Sequence, residues 1–305
     1  RNFLVSNDLD TSGISGANII QVKDTLSALQ QIAANHRKQF RIPVIGITGS
    51  NGKTMIKEWL HQLLSSQYNI VRSPKSYNSQ VGVPLSVWQM DSDHQLAIFE
   101  AGISQPGEME RLERIIQPTI GIFTNIGEAH SEGFMNNRQK INEKLMLFRH
   151  TAQLVYCTDH SEVNQCMIQF MHQVRAGNAD NPLHLFTWSL KQDADLRIND
   201  IAKTGNKTTI TARYKGKENS INIPFTDDAS VENAIHCWCV MLLLGISAKE
   251  IKSQMSLLQQ VSMRLELRHG INDCTVINDS YNSDLTSLQL ALNYLGQQRQ
   301  HSQHT

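Results

Sequence analysis

The sequence predicts an α/β fold: a central parallel sheet with helices on both faces. Three observations carry this. Short runs of β-forming residues alternate with helix-like segments from residue 44 to residue 175. One of the runs, Val44-Ile-Gly-Ile-Thr48, is apolar without polar alternation, as in a strand covered on both faces. That run passes straight into a Gly-rich turn and a helix. Strands that alternate with helices pair in parallel, because each helix carries the chain back across the sheet.

The elements follow in order. Residues 24–40 form a helix that Asp24 caps, with Leu26, Leu29, Ile32, Ala33 and Phe40 near helical spacing and Pro43 closing the segment. After the strand at 44–48, a helix runs from Lys53 to about residue 66. Leu96-Ala-Ile-Phe99, Thr119-Ile-Gly-Ile-Phe-Thr124 and Leu154-Val-Tyr-Cys157 are strands, and 107–116, 137–149 and 161–175 are helices. Between 183 and 225 the pattern changes to short strands with polar alternation, at 196–199, 208–214 and 220–223. Gly205-Asn206 and Lys215-Gly216 turn the chain there, so a small antiparallel patch is expected. Helices at 230–244 and 247–258, strands at 264–268 and 275–278 and a helix at 284–296 complete the chain.

Composition excludes several classes. Apolar residues make up 40% of the 305 positions and charged residues 18%, values unlike those of disordered or fibrous chains. Lys plus Arg and Asp plus Glu are 28 each, and a net charge of zero argues against a nucleic-acid binder. No apolar run reaches the roughly 18 residues of a membrane span; the stretch from Cys237 to Ile246 reads as a buried helix. Five cysteines without a Cys-x-x-Cys pair fit core thiols in a reducing, cytoplasmic setting better than disulfides or a zinc ribbon. The chain starts at Arg1 and stops soon after a helix-like stretch, so both ends read as cuts through a longer protein.

The strongest local signal is Thr48-Gly-Ser-Asn-Gly-Lys-Thr54, between a strand and a helix. Gly49 and Gly52 let the backbone turn its N–H groups onto an anion, and the helix N-terminus points its positive end at the same place. Ser50 and Asn51 complete the loop. Lys53 adds a cation for the β- and γ-phosphates of a nucleotide, and the Thr54 hydroxyl can ligate Mg2+. The strict phosphate-loop pattern needs Gly at 47, where Ile47 stands, so the loop is a variant. Glu100 ends a parallel strand, the edge at which ligands bind in such sheets, and a carboxylate there can hold the nucleotide's Mg2+. The next strand leads into Thr124-Asn-Ile-Gly-Glu-Ala-His-Ser-Glu-Gly-Phe134, so Glu128, His130 and Glu132 leave the same edge and a metal role for His130 is credible.

These motifs, with Asn78-Ser-Gln-Val-Gly-Val-Pro-Leu85, Glu100-Ala-Gly102 and Asn125-Ile-Gly-Glu-Ala-His130, resemble the Mur ligases, the ATP-dependent amide ligases of peptidoglycan precursor synthesis. Ile141-Asn-Glu-Lys-Leu-Met-Leu-Phe148 is similar to the family's helix with a carbamoylated lysine, here Lys144. Val231-Glu-Asn-Ala-Ile235 resembles its adenine-contacting segment, and Arg264-Leu-Glu266 with Ile277-Asn-Asp-Ser-Tyr-Asn282 the start of its Rossmann-like last domain. Within the family, Asp279-Ser-Tyr-Asn282 and the His36-Arg37 helix look most like the branch that adds D-alanyl-D-alanine to UDP-N-acetylmuramoyl-tripeptide. Ser73-Pro-Lys-Ser-Tyr-Asn-Ser79 is similar to the form fused to alanine racemase.

The resemblance implies phosphorylation of the tripeptide carboxylate by ATP, then attack by the D-Ala-D-Ala amine on the acyl phosphate. It implies Thr54 and Glu100 at a first Mg2+, and His130 with carbamoylated Lys144 at a second. It implies Asn233 at adenine, Arg264 and Asp279 at the nucleotide from the last domain, and Asn78 facing the UDP-sugar. It also implies a division into residues 1–42, the end of a UDP-substrate domain; 43–261, the ATP-binding core; and 262–305, a truncated last domain. On that division this fragment alone ligates poorly. The sister folylpolyglutamate synthetases carry Gly-Ser after the loop lysine, whereas Thr54 follows Lys53 here. A phosphate-loop kinase or NTPase and a non-catalytic nucleotide-binding module remain the alternative readings.

Overall fold

The computed structural model describes residues 2–6, 10, 13, 16–127, 133–177, 182–262, 264, 266–271, 274–280 and 285–298. Two short strands, β1 (Asn2–Val5) and β2 (Asn18–Gln21), pair in parallel at the start. Helix α1 (Thr25–Arg37) follows, and its cap is the predicted one: Asp24 accepts from the Leu26 and Ser27 N–H groups. Arg37 ends α1 buried, donating to the carbonyls of Phe40, Ile116 and Gln117. It thereby covers carbonyls that a helix C-terminus leaves without partners.

The main body is one nine-stranded sheet. In chain order its parallel part comprises β3 (Val44–Thr48), β4 (Ile70–Arg72), β5 (Leu96–Glu100), β6 (Ile120–Phe123), β7 (Gln153–Cys157) and β8 (His184–Ser189). Strands β9 (Leu196–Thr204), β10 (Lys207–Tyr214) and β11 (Lys217–Ile223) extend it as an antiparallel meander. The spatial order is β11-β10-β9-β8-β7-β6-β3-β5-β4. The expected antiparallel patch is thus continuous with the parallel sheet, joined by the parallel pairing of β8 with β9. Lys215 and Gly216 both take positive φ at the β10–β11 turn, the two-residue geometry that suits a twisted hairpin.

The connecting helices are α2 (Lys53–Leu64), α3 (Gly82–Val87), α4 (Glu108–Ile116), α5 (Asn137–Leu145), which runs into a 3-10 turn at Met146–Phe148, and α6 (Ser161–Gly177). After the meander come α7 (Asp228–Leu243) and α8 (Ala248–Met255), then a hairpin of β12 (Glu266–His269) with β13 (Thr275–Asn278) in a sheet of its own, and α9 (Leu285–Gln298).

Alternate residues of each central strand feed two cores. Ile45, Ile47, Leu96, Ile98 and Ile122 pack with Ile56, Trp59, Leu60 and the apolar faces of α7 and α8. Val44, Ala97, Phe99, Phe123, Leu154 and Tyr156 pack on the other face with residues of α1, α4, α5 and α6. This double coverage is why the strands read as continuous apolar runs. Among the described residues no helix is long and apolar enough to cross a membrane.

Five elements were not expected: β1 and β2, which precede the first predicted helix, and β4, β8 and α3. β8 mixes polar His184, Thr187 and Ser189 with apolar Leu185, Phe186 and Trp188 in no regular period, yet pairs with β7 over five residues. β4 is three residues long. α3 contains Gly82, Val83 and Pro84, poor helix formers that a single first turn tolerates.

Candidate active site

Residues 49–54 form the loop between β3 and α2, and the end of β6 clamps it. The Ser50 N–H donates to the Asn125 carbonyl at 2.9 Å, and the Asn51 N–H donates to Asn125 Oδ1 at 3.0 Å. Thr124 Oγ1 donates to the Asn51 carbonyl at 2.6 Å. Ser50 Oγ and Gly127 are joined in both directions, at 2.9 and 3.3 Å. Both glycines are required. Gly49 takes φ +139°, and a Cβ there would lie 1.9 Å from Thr124 Oγ1; Gly52 takes φ +84°, and its Cβ would lie 2.3 Å from Asn233 Oδ1. No side chain caps the N-terminus of α2, so its first N–H groups face the loop with the positive end of the helix behind them.

Thr54 and Glu100 lie in contact. Thr54 Oγ1 donates to Glu100 Oε2 at 3.0 Å, with Oε1 at 3.3 Å. Glu100 is fully buried at the C-terminal end of β5, next to β3 in the sheet. Ser76 Oγ lies 3.0 Å from Thr54 Oγ1, and Arg264 Nη2 lies 3.4 Å from both hydroxyls. Arg264, 210 positions from Thr54 in sequence, is therefore at the site. A hydroxyl beside a carboxylate is a hard-oxygen donor pair of the kind Mg2+ takes.

Three lysines surround the loop. Lys53 Nζ donates to the carbonyls of Gly49 and Ser50 at 3.0 and 2.8 Å. Lys144, on α5 and 2% exposed, donates to the same Gly49 carbonyl at 3.0 Å. Lys140, one turn earlier, donates to the Gly127 carbonyl at 2.6 Å. Burial first, then the charges of Lys53 and Lys140, push the Lys144 amine far below the ordinary lysine range.

Asn233, on α7, is buried against the loop and donates from Nδ2 to Met55 Sδ at 3.2 Å. The Asn78 carbonyl accepts from the Gly102 N–H at 2.8 Å, which sets Asn78 beside the Glu100 edge. Asp279 follows β13 and is half-buried. His130, with Glu128 and Glu132, lies outside the described residues. Sequence reasoning missed Lys57, Ser76, Lys140 and the side chains of Thr124 and Asn125. Lys57 Nζ lies 3.1 Å from Glu100 Oε1, with both side chains fully buried. A lysine one turn along a helix reads as solvated until the packing is known. Thr124 and Asn125 had a signal, since they end a parallel strand on the ligand edge.

The family description "Mur ligase middle domain" matches residues 47–241, which contain the loop, Glu100, Lys144 and Asn233. The chain belongs to the Mur ligase family. Two similar relatives are UDP-N-acetylmuramoyl-tripeptide–D-alanyl-D-alanine ligases. That of Bacillus subtilis is 31% identical over 278 residues, 90% of this chain and 57% of the relative. That of Borreliella burgdorferi is 29% identical over 280 residues, 92% of this chain and 58% of the relative. The chain thus spans a little over half the length of these relatives. Among solved structures, a MurF from Acinetobacter baumannii superposes with a TM-score of 0.80 at 25% identity, covering 94% of this chain and 62% of that one. A MurF ligase from Thermotoga maritima in complex with ADP shares the fold, with a TM-score of 0.78 at 22% identity, over 92% of this chain and 63% of that one. The Mur ligase fold accounts for the mostly parallel sheet and its flanking helices.

Proposed function

We propose that this chain is the ATP-binding part of a ligase that joins D-alanyl-D-alanine to UDP-N-acetylmuramoyl-tripeptide. One observation carries the reading: the Thr54 hydroxyl and the buried Glu100 carboxylate meet at 3.0 Å beside an uncapped helix N-terminus. That arrangement suits a Mg2+-nucleotide. The names of the relatives supply the substrates, and the Thermotoga maritima protein of this fold is in complex with ADP.

In this reading the N–H groups of Gly52, Lys53 and Thr54 at the start of α2 bind the ATP phosphates, those of Ser50 and Asn51 being held by Asn125, and Lys53 turns from its loop carbonyls onto the β- and γ-phosphates. Thr54 and Glu100 hold Mg2+, which offsets charge on the phosphates when bound. Asn233 contacts adenine, and Arg264 and Asp279 approach the nucleotide from the last domain. Asn78 faces the UDP-linked substrate. The γ-phosphoryl passes to the tripeptide carboxylate, giving acyl phosphate and ADP. The D-Ala-D-Ala amine then attacks the carbonyl carbon, loses its proton and expels phosphate, leaving the amide.

Lys144 fits carbamoylation on physical grounds. Only a neutral amine adds to CO2, and burial with two neighbouring cations shifts this amine towards its neutral form. The product, an N-carboxylate plus a released proton, would set an anion between Lys53 and Lys140 and offer oxygen ligands to a second Mg2+ with His130. Residues 1–42 and 262–305 we read as parts of the flanking substrate and closing domains.

The acyl-phosphate step has an isotopic test. With 18O in the tripeptide's terminal carboxylate, one 18O is expected in the released phosphate for each amide formed. Unlabelled phosphate would rule out carboxylate activation by phosphorylation.

A further inference from the structure

Lys57 sits one turn beyond Lys53 on α2 and is fully buried. A lysine head normally stays in water, and a buried ammonium persists only where it is paired and hydrogen-bonded. Lys57 Nζ donates to Glu100 Oε1 at 3.1 Å, to the Ser73 carbonyl at 2.8 Å and to the Lys75 carbonyl; Glu58 Oε1 lies 3.0 Å away. Its three protons are therefore engaged.

The bonds fall on two groups that both reach Thr54. The first is Glu100. Lys57 holds Oε1 while Thr54 Oγ1 donates to Oε2 at 3.0 Å, so the plane of the carboxylate is set from both ends. The second is the backbone that follows β4. Ser73 and Lys75 give their carbonyls to Lys57, and the next residue, Ser76, brings its hydroxyl to 3.0 Å from Thr54 Oγ1. Lys75 takes φ +48°, unusual for a residue with a Cβ, and its carbonyl is one of those held. The Ser73 hydroxyl in turn accepts from the Glu100 N–H at 3.3 Å. One ammonium thus ties the carboxylate, the loop and the helix that carries Thr54.

We propose that Lys57 is a positioning residue for the cation site at Thr54 and Glu100. It fixes the orientation of the carboxylate and the place of Ser76, so that both oxygens beside Thr54 are arranged before the metal-nucleotide arrives. Filling the space alone would not call for a charge, because buried ion pairs add little stability over apolar groups of the same size. The inference rests on the reading of Thr54 and Glu100 as the Mg2+-nucleotide site.

The experiment is calorimetric titration of ADP into the intact protein, in EDTA and again in excess Mg2+, for wild type and Lys57→Met. For wild type, Mg2+ is expected to tighten ADP binding; if it does not, the cation-site reading itself fails. For Lys57→Met, the Mg2+-dependent gain is expected to fall at least tenfold while the affinity in EDTA stays within threefold. A cation that merely competed with the metal would give a larger gain when removed. A gain that rises or stays the same, or equal losses with and without Mg2+, overturns the proposal. If Lys57→Met does not melt cooperatively, Lys57→Arg takes its place. It keeps the charge, but its planar fork cannot reach the same set of oxygens. Its gain is expected to fall at least fivefold, and a full gain overturns the proposal.

Discussion

The Thr54 hydroxyl lies 3.0 Å from Glu100 Oε2, across 46 positions of sequence. The two residues come from the start of α2 and the end of β5, so the contact exists only because β3 and β5 are neighbours in the sheet. Thr54→Ala is expected to lower kcat/KM for MgATP in the ligation assay by about 100-fold, about 2.7 kcal/mol of transition-state stabilisation. Thr54→Ser, which keeps the hydroxyl, should stay within about fivefold. Steady-state kinetics on the two variants checks this.

The loop glycines should differ in cost. A Cβ at Gly49 meets the short Thr124 side chain, which cannot withdraw without losing its 2.6 Å bond to the Asn51 carbonyl. A Cβ at Gly52 meets the tip of Asn233, a longer side chain that can rotate. Both positions also have positive φ. Gly49→Ala is expected to cost about 3 kcal/mol and Gly52→Ala about 1–2 kcal/mol, from strain and lost bonds of ordinary size. Urea denaturation would show the order, and a reversed order would contradict the geometry.

Lys57 and Glu100 form a fully buried ion pair. Lys57→Met leaves the buried Glu100 carboxylate without its cation and is expected to cost about 3–5 kcal/mol; Glu100→Gln leaves Lys57 with Glu58 Oε1 at 3.0 Å and is expected to cost less. The double variant should cost much less than the sum, because neither charge remains. A metal-free double-mutant cycle measures the coupling, and additive costs would show that the pair does not interact as described.

His236 gives the fold a pH dependence. Burial lowers its pKa to about 4, and its Nδ1 accepts from Trp188 Nε1 at 3.3 Å. Between pH 6.5 and 4 the unfolded chain binds the proton and the folded chain does not. Stability therefore rises with pH through this window. The contribution is full above pH 6.5 and is lost as pH falls towards 4, about 3 kcal/mol in all. His236→Asn should remove that part of the slope. Denaturation curves between pH 7.5 and 4.5 for the two proteins test it by difference.

Lys144 offers a chemical check. Equilibration with 13C-bicarbonate is expected to give a carbamate resonance in the wild type and none in Lys144→Met. A wild-type spectrum without that resonance would remove the modified lysine from the mechanism.

Much of this was legible in the chain. The strand, loop and helix around Thr48–Thr54 show because apolar run, glycines, lysine and threonine all lie within a dozen residues. Glu100 shows because a carboxylate ending a parallel strand has one edge to occupy. Lys57 did not show, because its burial depends on β5 and on the Ser73–Lys75 backbone, which lie far from it in sequence. β8 was hidden by its irregular mix of polar and apolar residues, although β7 pairs with it over His184–Trp188. α3 was hidden by Gly82 and Pro84, since its packing and not its propensity makes it helical.

The most direct measurement follows ADP release by the intact protein together with the mass of the peptide product. ADP formation is expected to need both UDP-N-acetylmuramoyl-tripeptide and D-alanyl-D-alanine, with one ADP for each amide made. Steady ADP release in the absence of both, with no ligated product when they are added, would contradict that expectation.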